Sequence, residues 1–150
     1  ITYTSLEDLF ARSDIITLHV PYNKQTHHLI NSQNIKLIKR GAYIINTARG
    51  GIIETGALIY ALDNGILAGA GLDVLEEETA IKEEADLLSK DSLKNANIKT
   101  LMEDHILMER ENVIITPHNA FNSREALERI METTVENINA FVKGKPVNYV

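Results

Sequence analysis

Four runs of apolar residues constrain this chain most: Ile15-Ile16-Thr17-Leu18-His19-Val20, Ala42-Tyr43-Ile44-Ile45-Asn46-Thr47, Leu67 to Val74, and Asn112-Val113-Ile114-Ile115-Thr116. Their apolar positions are consecutive rather than alternate. Such runs suit strands buried on both faces; three are rich in β-branched side chains, and Leu67 to Val74 is rich in glycine. Pro21 and Pro117 stop the first and the last, since proline cannot donate to a sheet ladder. Between the runs, apolar residues recur at helical spacing. Leu6, Leu9 and Phe10 follow Ser5 as N-cap. Ile35, Leu37 and Ile38 follow Ser32, with Gly41 as the stop. Leu58, Ile59 and Leu62 follow Thr55 and end at Asp63-Asn64-Gly65. A last, long helix is expected from Ser123 as N-cap to about Val142, with Ala126, Leu127, Ile130, Thr134, Ile138 and Phe141 along one face and Gly144 and Pro146 beyond its end. Helices alternating with such strands predict an α/β fold, a doubly wound parallel sheet covered on both sides.

Composition narrows the function. The chain has 150 residues, enough for one domain with its own core, with 44% hydrophobic and 24% charged residues. Twenty-one acids against 15 bases give a net charge of -6, which argues against a nucleic-acid or anionic-membrane partner. With no cysteine, disulfides, thiolate metal sites and a cysteine nucleophile are excluded. No apolar run approaches the roughly 20 residues that span a bilayer, and no secretory leader pattern opens the chain. A cytoplasmic location is expected. Segment 76–111 breaks the rhythm: residues 76–91 hold seven acids and two lysines, and the segment reads as a solvated loop.

In an open parallel sheet, ligands bind outside the C-terminal ends of the strands. The residues there are His19-Val20-Pro21, Thr47-Ala48-Arg49-Gly50-Gly51, Asp73 with Glu76 to Glu78, and Pro117-His118-Asn119-Ala120. Together they offer a cation, carboxylates and an imidazole. The guanidinium of Arg49 is a planar fork that matches a carboxylate, and Gly50 and Gly51 allow close backbone approach. His118 carries the side chain suited to proton exchange near neutral pH. Glu78 is placed to orient and charge-stabilise that imidazole. Taken singly, each is an ordinary surface residue; the combination carries the chemistry.

No metal site is expected. His27 and His28 are adjacent, so their side chains should diverge, and no carboxylate follows at ligand spacing. His105 stands among Glu103, Asp104 and Glu109, where a weak divalent site competes with a solvated loop, and the loop is favoured. The glutamate run lacks calcium-loop spacing, and no serine sits in a nucleophile elbow.

Thr47-Ala48-Arg49-Gly50-Gly51, then Gly69-Ala70-Gly71-Leu72-Asp73-Val74 with Glu78 five residues after Asp73, then Thr116-Pro117-His118, together with His19-Val20-Pro21, resemble the D-isomer-specific 2-hydroxyacid dehydrogenases. The resemblance covers essentially the whole chain. It implies a Rossmann-like domain binding NAD and a hydride transfer between NADH and a 2-keto acid. By position, Arg49 would hold the substrate carboxylate and carbonyl, His118 would be the acid/base, and Glu78 would pair with His118. Asp73 would bind the nicotinamide carboxamide. His19, Val20, Pro21, Thr47, Ala48 and Ala120 would line the cofactor beside Arg49 and His118. Thr79 stands where the family often has proline after the glutamate, and a long loop follows. That insertion, with Pro117-His118-Asn119-Ala120-Phe121, resembles the D-lactate dehydrogenase branch and points to pyruvate and D-lactate, with bulkier 2-keto acids second. Family members are commonly dimers, so a homodimer is implied for the full-length protein, with the long helix as a possible seam.

The chain has no G-x-G-x-x-G turn: Gly69-Ala70-Gly71 is followed by Leu72-Asp73-Val74. It starts at Ile1 rather than Met. The expectation is a truncated cofactor domain over residues 1–142, with 143–150 returning towards a substrate domain, and little activity or dinucleotide affinity in the piece alone. The alternatives are a catalytically inactive dinucleotide-binding regulatory module, such as a corepressor, and a truncated gene remnant.

Overall fold

Ser5 turns its hydroxyl onto the backbone N–H of Asp8 at 3.2 Å and so caps a first helix, α1, Leu6–Arg12. Glu7 and Asp8 lie in its first turn, where the helix dipole favours acids. Phe10 is the residue it buries. The computed structural model describes residues 2–76 and 98–148. The chain divides into two units, Ile1–His118 and Asn119–Val150.

In the first unit, strands β1 (Ile15–Leu18), β2 (Ala42–Asn46), β3 (Leu67–Leu72) and β4 (Val113–Ile115) form one parallel sheet in the order β1-β2-β3-β4. Each strand is shorter than its apolar run. His19, Val20, Thr47, Asp73, Val74 and Thr116 lie past the last ladder residue, which places them in the loops at the sheet's C-terminal edge. Ile16 pairs with Ile44 and Ile44 with Ala70, so these residues share one face. On that face they meet Phe10 of α1, Ala57, Leu58, Ala61 and Leu62 of α2 (Thr55–Asp63), and Leu107 in a single hydrophobic cluster. Burying each of the Ile, Leu and Phe side chains among them is worth about 1.5–3 kcal/mol.

The opposite face carries Ile15, Tyr43, Ile45 and Ile114, which are 38 to 71% exposed. The described helices of this unit pack against the first face, in keeping with a parallel α/β sheet of the Rossmann-like kind.

Two expectations change. The segment behind Ser32 is not an α-helix. The side chain of Asn31 accepts from the N–H groups of Gln33 (2.9 Å) and Asn34 (3.3 Å), an Asx turn that competes with a helical start. Only a 3₁₀ turn, Ile35–Leu37, follows. The segment read as a loop from 76 to 111 contains helix α3, Ile98–Met108. Thr100, Asp104 and Leu107 recur at helical spacing and form its buried side. The rest of the acidic run, residues 77–97, lies outside the described residues, and with it Glu78.

The second unit is built around α4, Arg124–Val142, capped as expected by Ser123, whose hydroxyl accepts from Ala126 N–H at 3.2 Å. None of its residues is buried; Ile130, Ile138 and Phe141 are all more than half exposed. Among the described residues, no helix is long and apolar enough to cross a membrane.

Candidate active site

Because all four strands run parallel, the loops after them gather at one edge. The ends of β1 and β2 form an open cleft of about 690 Å³, lined by His19, Val20, Pro21, Tyr22, Thr47, Ala48 and Arg49. Six of these are residues singled out in the sequence; Tyr22 is an addition. Its ring lies over Gly51, where a side-chain carbon would come within 2.8 Å of it. Its hydroxyl is 3.0 Å from Nδ1 of His27. His19 Nε2 is held 2.9 Å from the hydroxyl of Thr17.

Arg49 is exposed and has an extended backbone, and one guanidinium nitrogen donates to the carbonyl of Ala48 at 2.6 Å. Among the described residues, no carboxylate lies within ion-pair distance of it. The turn that presents it is organised from beneath by Asn46. This amide is 1% exposed. Its Nδ2 donates to the carbonyl of Arg49 at 2.9 Å, and its oxygen accepts from Ala48 N–H at 3.1 Å. Asn46 was not singled out from the sequence. The available signal was an amide within an otherwise apolar run, two residues on from the inward-facing Ile44.

A second group joins the ends of β3 and β4. Asp73 is buried, and its backbone N–H donates to the carbonyl of Asn46 at 2.9 Å. Its carboxylate accepts from the hydroxyl of Thr116. The carbonyl of Thr116 in turn accepts from His118 N–H at 2.9 Å. His118 has φ 54°, a left-handed conformation that a residue with a side chain adopts at a cost of order 1–3 kcal/mol. Ala120 is exposed and belongs to the second unit.

A third group lies behind the Arg49 turn. The expected divergence of His27 and His28 is corrected: their rings stack, 3.9 Å between centroids and 25° apart, because His28 takes a positive φ of 48°. His28 Nε2 meets the carboxylate of Glu76 at 2.5 Å. The other Glu76 oxygen accepts from Thr55 N–H (3.0 Å) and Thr55 Oγ1 (2.8 Å), supplying the N-terminus of α2 with the cap its own Glu54 does not provide. Burial opposes the charge on Glu76, but the hydrogen bonds from His28 and Thr55 prevail and hold its carboxyl below the ordinary value. On α3, Asp104 is fully buried while His105 faces outward towards Glu109 at 3.8 Å and Glu103 pairs with Lys99. These side chains do not converge. Among the described residues, no three His, Cys, Asp or Glu side chains are grouped to hold a metal.

The cleft has the make-up of a small-ligand site. Its volume lies in the ordinary range for small-ligand sites. It combines Val20, Pro21, Thr47 and Ala48 with the rings of His19 and Tyr22 and one exposed guanidinium, beside a strand end that carries a buried carboxylate. The parallel sheet with its helices and C-terminal-edge loops is a Rossmann-like α/β arrangement, the class of nucleotide-binding modules. Residues 1–120 match the family described as D-isomer specific 2-hydroxyacid dehydrogenase, NAD binding domain, and the chain belongs to that family. It is 39% identical over 145 residues to a glycerate dehydrogenase of Methylorubrum extorquens, covering 97% of this chain and 40% of that protein. It is 37% identical over 146 residues to a D-lactate dehydrogenase of Treponema pallidum, covering 97% and 42%. The crystal structure of D-lactate dehydrogenase from Aquifex aeolicus complexed with NAD and lactic acid superposes with a TM-score of 0.82 at 44% identity, over 96% of this chain and 41% of that one. The chain thus spans about two fifths of the length of these relatives.

Proposed function

We propose that the protein carrying this chain is an NAD-dependent oxidoreductase that interconverts a 2-keto acid and its D-2-hydroxy acid, with pyruvate and D-lactate as the preferred pair. The observation that carries the proposal is Arg49: an exposed guanidinium without a carboxylate partner among the described residues, held in a cleft at the C-terminal edge of the sheet. Such a fork grips a substrate carboxylate by two parallel hydrogen bonds. In that role Arg49 fixes the keto acid so that its carbonyl faces the cofactor.

His19, Val20, Pro21, Thr47 and Ala48 would line the cofactor, and Asp73 would receive the carboxamide. NADH, when bound, supplies the hydride for the carbonyl carbon. His118 gives a proton to the carbonyl oxygen, and Glu78, which lies outside the described residues, would pair with it. In the reverse direction, His118 takes that proton back. The tie from Asp73 through Thr116 to the backbone of His118 supports the pairing of cofactor contact and proton donor at neighbouring strand ends. The proposal includes a homodimer, supported by the exposed apolar residues of α4 and checked by sedimentation velocity of the whole protein.

The test is NADH oxidation by the whole protein with pyruvate, hydroxypyruvate, glyoxylate and bulkier 2-keto acids. Pyruvate should give the highest kcat/KM, and only the D isomer of lactate should be oxidised. Hydroxypyruvate or glyoxylate in first place would keep the reaction class and overturn the substrate choice. No reduction of any 2-keto acid would overturn both.

A further inference from the structure

We infer that Glu76 is a positioning residue for substrate binding, holding the Arg49-Gly50-Gly51 turn in its working geometry through His28 and Thr55; this rests on the role proposed for Arg49. Three observations converge. The turn abuts the chain leaving β3 without clearance: a carbon on Gly50 would lie 2.0 Å from the carbonyl oxygen of Leu75 and 2.5 Å from the nitrogen of Glu76. Any shift of the Leu75–Glu76 backbone is therefore passed to the turn. The Glu76 carboxylate is fixed at both oxygens, by His28 Nε2 at 2.5 Å on one side and by Thr55 N–H and Oγ1 at 3.0 and 2.8 Å on the other. His28 reaches the turn as well, its N–H donating to the carbonyl of Gly51 at 2.9 Å.

One carboxylate thus ties together the segment before the turn, the helix after it and the strand exit beneath it. The partners are 48 and 21 residues away in sequence, so the clamp exists only in the folded chain. Thr55 Oγ1 has one proton and two carboxylate neighbours, Glu76 at 2.8 Å and Asp104 at 3.3 Å; the shorter contact assigns it to Glu76. A charged acceptor also gives the stronger bond to an imidazole N–H. An amide in place of the carboxylate removes the charge and turns an N–H group towards one side of the clamp, so Glu76→Gln weakens the clamp at nearly constant shape.

The experiment is a double-mutant cycle in the whole protein, reading the keto-acid KM and, by fluorescence titration, the NADH dissociation constant. Glu76→Gln and, separately, His28→Ala should each raise the keto-acid KM by about five- to tenfold, with NADH affinity within about twofold of wild type. On an Arg49→Lys background, the same substitutions should add less than about twofold, because the group they position is already lost. An equal factor on both backgrounds, or an equal loss of NADH affinity, would overturn the inference while leaving Arg49 in its role. A wild-type KM for Arg49→Lys alone would instead overturn the reading of Arg49 and this inference with it. If Glu76→Gln does not fold, His28→Ala carries the same test.

Discussion

The side-chain amide of Asn46 donates to the carbonyl of Arg49 at 2.9 Å from a position that is 1% exposed. A buried amide with both ends engaged is costly to remove, because the carbonyl and N–H it served lose their partners. Asn46→Ala should destabilise the protein by about 1–3 kcal/mol and raise the keto-acid KM. Asn46→Asp keeps the acceptor for Ala48 N–H but loses the donor to Arg49, and should show the KM effect too. Thermal melting and steady-state kinetics of the two variants check this; a wild-type KM in both would detach Asn46 from the site.

Gly50 leaves no room for a side chain against the carbonyl of Leu75. Both contacting groups are backbone, so the clash cannot be relieved by a rotamer change. Gly50→Ala should cost about 1–3 kcal/mol or more, whereas Gly65→Ala, with only an Arg40 side-chain nitrogen at 3.6 Å, meets no such clash and is strained by its positive φ alone. Comparative melting of the two variants is the measurement. A larger loss for Gly65→Ala would contradict the packing of the turn.

His118→Gln should lower turnover by about a hundredfold or more, the usual worth of a general acid, with NADH affinity nearly unchanged. Stopped-flow single turnovers with a bound-NADH signal separate the two quantities. Turnover at the wild-type rate would remove His118 from the proton step.

Arg49→Lys should raise the keto-acid KM and lower kcat/KM together, since an ammonium is a point charge and cannot make two parallel bonds to one carboxylate. The companion measurement is inhibition by oxamate, an unreactive isostere of pyruvate that carries the same carboxylate: its inhibition constant should rise in step with KM. Unchanged inhibition would place the carboxylate elsewhere.

Glu76 links stability to pH. Its folded carboxyl titrates below its ordinary value near 4.5. The ionised group therefore contributes stability above that ordinary value, and the contribution is lost as pH falls through the lowered folded value. Wild type should lose melting temperature more steeply than Glu76→Gln on acidification below about pH 5. Parallel melting curves across that range would show that the His28 and Thr55 bonds do not stabilise the charged form.

The chain encodes locally what neighbouring residues can enforce. Ser5 and Ser123 sit within three residues of the N–H groups they cap, and both helices begin where a hydroxyl precedes an apolar period. Three strands were legible as β-branched runs and β3 as a glycine-rich apolar one, and the motifs at their ends were legible because a parallel sheet brings every strand's C-terminus to one edge. Where a local signal had a local competitor, the outcome was not legible: Asn31 turned the expected helix behind Ser32 into a 3₁₀ turn. Helix α3 was hidden because two of its three buried residues, Thr100 and Asp104, are polar and follow an acidic run. Only the tertiary structure decided the rest: the face of the sheet that takes the helices, the burial of Asn46 beneath Arg49, and the meeting of Glu76 with His28 and Thr55. Those contacts join residues tens of positions apart, and periodicity and capping act over a turn or two. The arrangement that holds the Arg49 turn is set by which distant elements the sheet order makes neighbours.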